Sequence, residues 1–110
     1  MKKLLVALIC AFSIAASAAP SCVLKRDASG KIARSTVSVN AFKRANTCPS
    51  TGKKSTASCP GYIVDHIQPL CACGPDAPTN MQWQTLEASK AKDILEDKQC
   101  RELKASGAVK

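Results

Sequence analysis

The hydrophobic and polar positions predict two strands and a helix in the second half of the chain. β-Branched and aromatic residues over 62–67 favour a strand. Residues 80–84 favour a second short strand, and the two prolines of the loop at 74–78 exclude a continuous ladder through it. Thr85 is suited to cap a helix from Leu86 to about Lys98. The approximate apolar stripe of this helix would consist of Leu86, Ala91, Ile94 and Leu95.

The first half of the chain predicts one more helix and a small hairpin. Ser35 favours the start of a helix that runs to about Ala45, with two cations at its C-terminal end, where the helix dipole favours them. The turn signal at 27–30 predicts a hairpin that joins short apolar pieces at 23–24 and 32–33. At the other end of the chain, residues 101–110 predict the remnant of a helix followed by a frayed tail.

The chain begins with a segment that has the features of an export signal. Residues 1–3 include two lysines, residues 4–16 are apolar but too short to span a bilayer comfortably, and residues 16–18 fit a small-residue cleavage site. We expect cleavage after Ala18 and export to the periplasm or the medium. Two alternatives are an uncleaved membrane anchor and a lipid anchor on Cys22, for which the preceding residues lack an aliphatic side chain.

The charge balance favours a polyanionic partner. The chain has 16 Lys and Arg against 8 Asp and Glu, and two of the lysines lie in the predicted signal, so residues 19–110 carry 14 basic and 8 acidic residues. This excess suits nucleic acid, or an anionic membrane or wall surface. Charge alone does not choose among these partners.

Six cysteines follow the predicted signal. In a short exported chain, an even number predicts a disulfide framework around a small core, although fifteen pairings are possible. Cys71 and Cys73 are too close to pair easily with each other, whereas Cys48 and Cys59 bracket a polar loop and are expected to pair locally. A thiolate zinc site is the alternative, but no Cys-x-x-Cys pair supports it. The six are Cys22, Cys48, Cys59, Cys71, Cys73 and Cys100.

The only histidine of the chain stands beside an aspartate near the end of the first predicted strand. Phosphodiester cleavage needs a base that activates water and a cation that stabilises negative charge. An imidazole suits the first role, and a carboxylate suits a hard divalent cation, so His66 and Asp65 supply one of each. Asn80 offers an amide that can position the imidazole. Since neighbouring strand residues face opposite sides, both would serve one site only if the strand became irregular there.

These residues together resemble the HNH nuclease family, whose core is called the ββα-metal motif. The likeness rests on residues 65–70, on 80–85 and on 90–93, and it covers roughly residues 25–100. Small exported HNH-type proteins also have counterparts of four upstream stretches, which are residues 26–30, 32–35, 48–52 and 59–62.

The resemblance implies a role for several residues. His66 would be the general base, Asp65 a metal ligand, and Asn80 the residue that orients the His66 ring or holds the loop. Lys90 and Lys92 would contact the nucleic-acid backbone. The implied cofactor is a divalent ion, first of all Mg²⁺, with Mn²⁺, Ni²⁺ or Zn²⁺ as alternatives. A further expectation is that Trp83 lies in the core and packs the helix onto the strands.

The sequence departs from the family pattern at two places. Many HNH proteins carry a histidine nine residues after the asparagine, where this chain has Ser89. A serine hydroxyl is a poor ligand for a divalent ion, so we expect Asp93, one helical turn further on, to replace it, with Glu87 as the runner-up. The family commonly has Gly where this chain has Cys73, and an added bridge from Cys73 to Cys22 is therefore expected.

We therefore expect a small single-domain α+β protein at residues 19–110, with a ββα-metal core, an additional N-terminal helix and disulfides. Its expected activity is metal-dependent hydrolysis of DNA, or RNA, with little sequence specificity, because no groove-reading module accompanies the site. One alternative is a weak or inactive relative that binds polyanions; another is a structural or inhibitory envelope protein. We expect a monomer that has no membrane contact after signal cleavage.

Overall fold

Residues 21–110 form two helices and a two-stranded sheet, an α+β fold. The computed structural model describes residues 21–110, and the predicted signal at 1–18 lies outside them. No helix within the described range is both long and apolar enough to cross a membrane. The elements are α1 (Thr36–Ala45), β1 (Tyr62–His66), β2 (Met81–Thr85) and α2 (Leu86–Ala105), with 3-10 turns at Leu70–Ala72 and Pro78–Asn80. The predicted α+β class and order of elements are confirmed.

Side-chain caps start both helices at the predicted residues. The Ser35 hydroxyl accepts the N–H of Ser38 at 3.1 Å, and the Thr85 hydroxyl accepts the N–H of Ala88 at 3.1 Å. Each cap satisfies a donor that the first helical turn leaves without a partner. Helix α2 runs past the predicted end near residue 98, because most residues up to Ala105 are good helix formers. Gly107, with φ of 78°, follows its C-terminus.

The two strands form an antiparallel pair that leads directly into α2. Tyr62 lies opposite Thr85 and His66 opposite Met81. Past the last pair, the N–H of Ile67 still donates to the carbonyl of Asn80 at 2.8 Å. Since α2 begins immediately after β2 and packs against both strands, its first turns lie beside the end of β1.

The hydrophobic core is small and centres on the sheet and α1. Phe42 and Met81 are among its most buried side chains. The rings of Phe42 and Trp83 meet edge to face with centroids 5.5 Å apart, and the indole N–H of Trp83 donates to the carbonyl of Asn46 at 3.2 Å. Trp83 is half-buried and packs against α1, whereas the expectation had it pack the following helix, α2, onto the strands.

The predicted apolar stripe of α2 is wrong. Leu86, Ile94 and Leu95 are 50%, 72% and 71% exposed. The side of α2 that faces the protein instead carries Ser89, Lys92, Glu96 and Cys100, which are spaced three or four residues apart. This side is polar because β1 presents a carboxylate to it, so ion pairing rather than apolar burial orients the helix.

Three disulfides join the elements. Cys48 pairs with Cys59, Cys71 with Cys100, and Cys22 with Cys73. The expected framework, the local pair and the added bridge are confirmed, and no cysteine within residues 21–110 remains as a thiolate for zinc. Cys73 has φ of 67°, a left-handed conformation that favours glycine.

The two ends of the described chain meet. The predicted hairpin forms, with Arg26 opposite Ile32. Its second arm lies at 32–33 as expected, but its first arm lies at 25–26 instead of 23–24. Cys22 forms a parallel bridge with Val109, the N–H of Lys110 donates to the Cys22 carbonyl at 2.9 Å, and Val109 is 5% exposed. The expectation of a frayed tail is therefore wrong, because the last residues act as a short strand beside the N-terminal segment.

Candidate functional site

His66 ends β1 and is held by a carboxylate from the loop that joins the strands. Its Nε2 lies 2.9 Å from Oδ1 of Asp76. When Nε2–H donates to Asp76, the neutral ring keeps Nδ1 as its basic nitrogen. Within residues 21–110, Nδ1 has no hydrogen-bond partner and is not fully buried, although the residue as a whole is only 7% exposed. The ring is thus oriented, with one nitrogen left for a proton.

Asp76 is itself fixed by the start of α1. Its Oδ2 accepts the backbone N–H of Ser35 at 2.6 Å, and its carbonyl accepts the hydroxyl of Ser38 at 3.1 Å. A helix N-terminus attracts negative charge, so the start of α1 helps to hold the Asp76 side chain in place. The sequence prediction missed Asp76. A carboxylate between two prolines of the connecting loop was the available signal.

Asn80 holds the loop and does not contact the His66 ring. Its Oδ1 accepts the N–H of Gln68 at 3.0 Å, and its Nδ2 donates to the carbonyls of Gln68 and Pro75 at 2.9 Å each. Both donors of the amide are used, and the residue is 8% exposed. Of the two roles implied for Asn80, the structure is consistent with loop closure, while Asp76 orients the ring.

Asp65 faces away from the Asp76 side of β1. Its Oδ2 accepts the Nζ of Lys92 at 2.7 Å and the side-chain N–H of Gln82 at 3.0 Å. Because β1 keeps regular pairing through His66, neighbouring residues 65 and 66 turn their side chains to different partners.

Lys92 connects α2 to the end of β1. Its ammonium also donates to the carbonyl of His66 at 2.6 Å and forms an ion pair with Glu96. Burial lowers the pKa of Lys92, but hydrogen bonds and Coulombic attraction from Asp65 and Glu96 outweigh burial and leave the pKa raised. Lys92 was predicted to contact nucleic acid, yet its charge is used inside the protein. Lys90, predicted for the same role, is exposed.

Of the two helix carboxylates expected as the second metal ligand, Asp93 shares a cleft with Asp65 and Glu87 does not. Ser89 is buried, and its hydroxyl donates to the carbonyl of Leu86 at 2.8 Å within the same helix. Asp93 is exposed and lines the same cleft as Asp65. Glu87 is exposed in the first turn of α2 and lies outside that lining.

A cleft of about 350 Å³ lies where β1, α2 and the N-terminal hairpin meet. We call it the acidic cleft, because four carboxylates and one guanidinium line it. Arg34 and His66 line this cleft together. The charged and titratable lining residues are Arg34, Asp65, His66, Asp93, Glu96 and Asp97.

The donor set does not fit a divalent metal ion as it is arranged. No three His, Cys, Asp or Glu side chains of residues 21–110 are grouped to bind one ion. Oδ2 of Asp65 is bound by Lys92 and Gln82, and the hydroxyl of Ser89 is turned to its own helix.

Known proteins add no assignment to this geometry. No family model, curated protein or solved structure matches the chain.

Proposed function

We propose that this protein acts on nucleic acid as an HNH-type phosphodiesterase, with His66 as the general base. The observation that carries this proposal is the contact of 2.9 Å between Nε2 of His66 and Asp76, at the edge of the acidic cleft. A histidine that a carboxylate orients is the usual means of activating water at neutral pH.

The order and pairing of the elements support the HNH assignment. An antiparallel strand pair, a loop closed by Asn80 and a helix that follows at once are the layout expected of a ββα core. Asp65, His66 and Asn80, on which the resemblance to HNH proteins rests, lie at one end of the sheet. Three disulfides suit an exported protein, because such bonds persist in oxidising compartments.

Each residue would contribute a simple step. Nδ1 of His66 would take a proton from water as the water oxygen bonds to phosphorus, the P–O bond to the leaving oxygen would break, and that oxygen would take a proton from solvent. Asp76 would hold the tautomer and balance the positive charge that forms on the ring. Arg34 would bind the phosphate through its planar guanidinium. Substrate would reach Arg34 along the basic hairpin, defined as Arg26, Lys31 and Arg34, whose side chains line an adjoining cleft.

The surface charge favours a polyanionic substrate. Of the 14 Lys and Arg within residues 21–110, only Lys92 forms an ion pair within that range. The remaining cations are available to phosphates, which release counterions on binding and give salt-dependent affinity.

A second candidate is a protein that binds nucleic acid without cleaving it. Two observations favour it: Lys92 occupies the carboxylate of Asp65, and Ser89 stands at the family's histidine position with its hydroxyl bonded inside α2. Binding through the basic hairpin needs neither of these residues. This is the polyanion-binding alternative that the missing histidine already suggests.

Cleavage of plasmid DNA and of RNA by the oxidised protein tests the first candidate. Reactions would contain Mg²⁺, Mn²⁺, Ni²⁺, Zn²⁺ or EDTA. We expect His66→Ala to lower the rate by about 10²-fold or more while circular dichroism stays unchanged. Equal rates for His66→Ala and the unmodified protein would refute His66 as the base.

Binding to a fluorescent single strand separates the two candidates. We expect Arg34→Ala to weaken binding. The slope of log affinity against log salt concentration should fall by about the amount that corresponds to one phosphate contact. Lys98→Ala, which removes the same charge from the exposed side of α2, is the matched control. Salt-sensitive binding without cleavage under any condition would support the second candidate. Absence of both would favour a structural or inhibitory protein.

A further inference from the structure

The ammonium of Lys92 lies among three oxygen atoms from separate parts of the chain. It is 2.7 Å from Oδ2 of Asp65 and 2.6 Å from the carbonyl of His66, and it forms an ion pair with Glu96. The ammonium donates to Asp65 and to the His66 carbonyl, and Glu96 adds an ion pair, so the charge of Lys92 is used inside the protein.

The same three oxygens have the chemistry of a hard-cation site. Carboxylate and carbonyl oxygens are the ligands that Mg²⁺ and Mn²⁺ prefer in proteins. Their side chains are largely buried, at 12% exposure for Asp65 and 17% for Glu96. Two carboxylates held close together repel each other, and a cation between them offsets this repulsion.

We propose that the Lys92 ammonium is a tethered cation that fills the site formed by Asp65, Glu96 and the His66 carbonyl, so that a divalent ion enters this site only by displacing Lys92. The inference rests on this geometry and does not depend on the proposed hydrolysis.

Lys92 and a divalent ion cannot share the site. A divalent ion among the same oxygens would lie within a few ångströms of the Lys92 ammonium, and the two positive charges would repel each other. Displacement is sterically feasible, because the ammonium ends a flexible four-carbon stem that is 22% exposed and can turn towards solvent. The unmodified protein should therefore bind divalent ions weakly.

Titration of the protein with Mn²⁺ alone tests the proposal. Calorimetry measures the heat of binding, and electron paramagnetic resonance measures the concentration of free Mn²⁺. We expect Lys92→Met to bind one Mn²⁺ at least about 10-fold more tightly than the unmodified protein. Lys98→Met, which removes an exposed lysine from the same helix, should bind as the unmodified protein does. Glu96→Gln added to Lys92→Met should abolish the gain.

A second variant and a second readout guard against misfolding. Lys92→Gln keeps a hydrogen-bond donor for Asp65 but removes the charge. It should also bind Mn²⁺ more tightly than the unmodified protein, though less tightly than Lys92→Met. Mn²⁺ should also raise the melting temperature of Lys92→Met more than that of the unmodified protein.

If neither variant binds Mn²⁺ more tightly than the unmodified protein, Lys92 does not fill a cation site. Tight Mn²⁺ binding that is equal with and without Lys92 would refute the proposal as well. Cleavage is not measured, so either result is independent of the proposed hydrolysis.

Discussion

Asp76 is the residue that joins His66 to the rest of the fold. One carboxylate oxygen binds the imidazole, and the other binds the N-terminal side of α1. The ring is therefore positioned by a loop residue and a helix, and not by the strand alone.

Replacing Asp76 by Asn tests this connection. The Asn side chain has only one acceptor oxygen, so it cannot accept from both His66 and Ser35. We expect a loss of about 1.5–3 kcal/mol in the free energy of unfolding, the usual range for a hydrogen bond to a charged group. Urea unfolding of the oxidised protein measures it. Asp93→Asn, at an exposed carboxylate without a described hydrogen bond, should change stability by less than about 0.5 kcal/mol. Equal effects of the two variants would contradict the proposed connection.

Gly74 allows the loop beneath the site to close. A Cβ at this position would lie 2.0 Å from the carbonyl oxygen of Gln68. The clash is with backbone that Asn80 also binds, so it cannot be relieved by turning a side chain.

We therefore expect Gly74→Ala to destabilise the protein by about 3 kcal/mol or more, at the upper end of overpacking effects. Gly52→Ala is the control, because Gly52 has φ of 70° but a Cβ added there would meet no atom within 4 Å. Only the left-handed backbone penalises that change, by about 1–2 kcal/mol. Thermal or urea unfolding of both variants compares the two costs, and a smaller effect at Gly74 would show that the loop can shift.

At the scale of elements, α2 meets β1 through charge. Ser89, Lys92 and Glu96 face the protein, while Ile94 and Leu95 face outward. Helix α2 is therefore held by ion pairs, its cap and the disulfide at Cys100 more than by an apolar stripe.

The pH dependence of stability should reveal the Lys92 contact. Burial by itself lowers the pKa of Lys92. Hydrogen bonds to Asp65 and Glu96 raise the pKa by more than burial lowers it, so the pKa in the folded protein exceeds the ordinary value of 10.5. The folded state then holds this proton more tightly than the unfolded state. The resulting stabilisation is complete below about pH 10.5 and is lost as the pH rises through the higher folded-state value.

Unfolding free energies of the unmodified protein and Lys92→Met, measured in EDTA from about pH 8 to about pH 11.5, test this expectation. The difference between the two proteins should shrink at the alkaline end. Lys98→Met is the control, because it shows how much the unfolding free energy changes when an exposed lysine of the same helix is lost. A difference that stays constant over the whole range would show that the Lys92 contact does not depend on its charge.

At the scale of the whole molecule, disulfides compensate for a small core. No side chain within residues 21–110 is less than 2% exposed. Cys22–Cys73 spans 51 residues of sequence and ties the N-terminal segment to the loop of the site, whereas Cys48–Cys59 spans 11 residues. A longer closed loop restricts the unfolded chain more.

Removing these bridges one at a time should show the difference. From loop-closure entropy, we expect Cys22→Ala with Cys73→Ala to cost about 4 kcal/mol, and loss of Cys48–Cys59 to cost about 3 kcal/mol. Cys22→Ala with Cys73→Gly should be about 1 kcal/mol more stable than the version with Ala, because residue 73 is left-handed. Urea unfolding measures all three. A Gly variant no better than the Ala variant would mean that the loop changes conformation once the bridge is absent.

Local signals in the sequence determined the elements of this protein and their boundaries at the start. Caps act over three residues, strand preference is read from a few neighbours, and Cys48 and Cys59 are close along the chain, so these features were predicted correctly. The bridge from Cys22 to Cys73 followed from the family resemblance.

Contacts between distant residues were decided by the tertiary structure alone. His66 meets Asp76 ten residues away, Ser35 meets Asp76 across 41 residues, and Lys92 reaches back 27 residues to Asp65. A periodic pattern reports which residues share one side of a helix, but the partner facing that side decides whether it is apolar or charged. Here the sheet presents Asp65, so α2 turned its polar side inward, and the same contact placed an ammonium where the sequence predicted a metal ion.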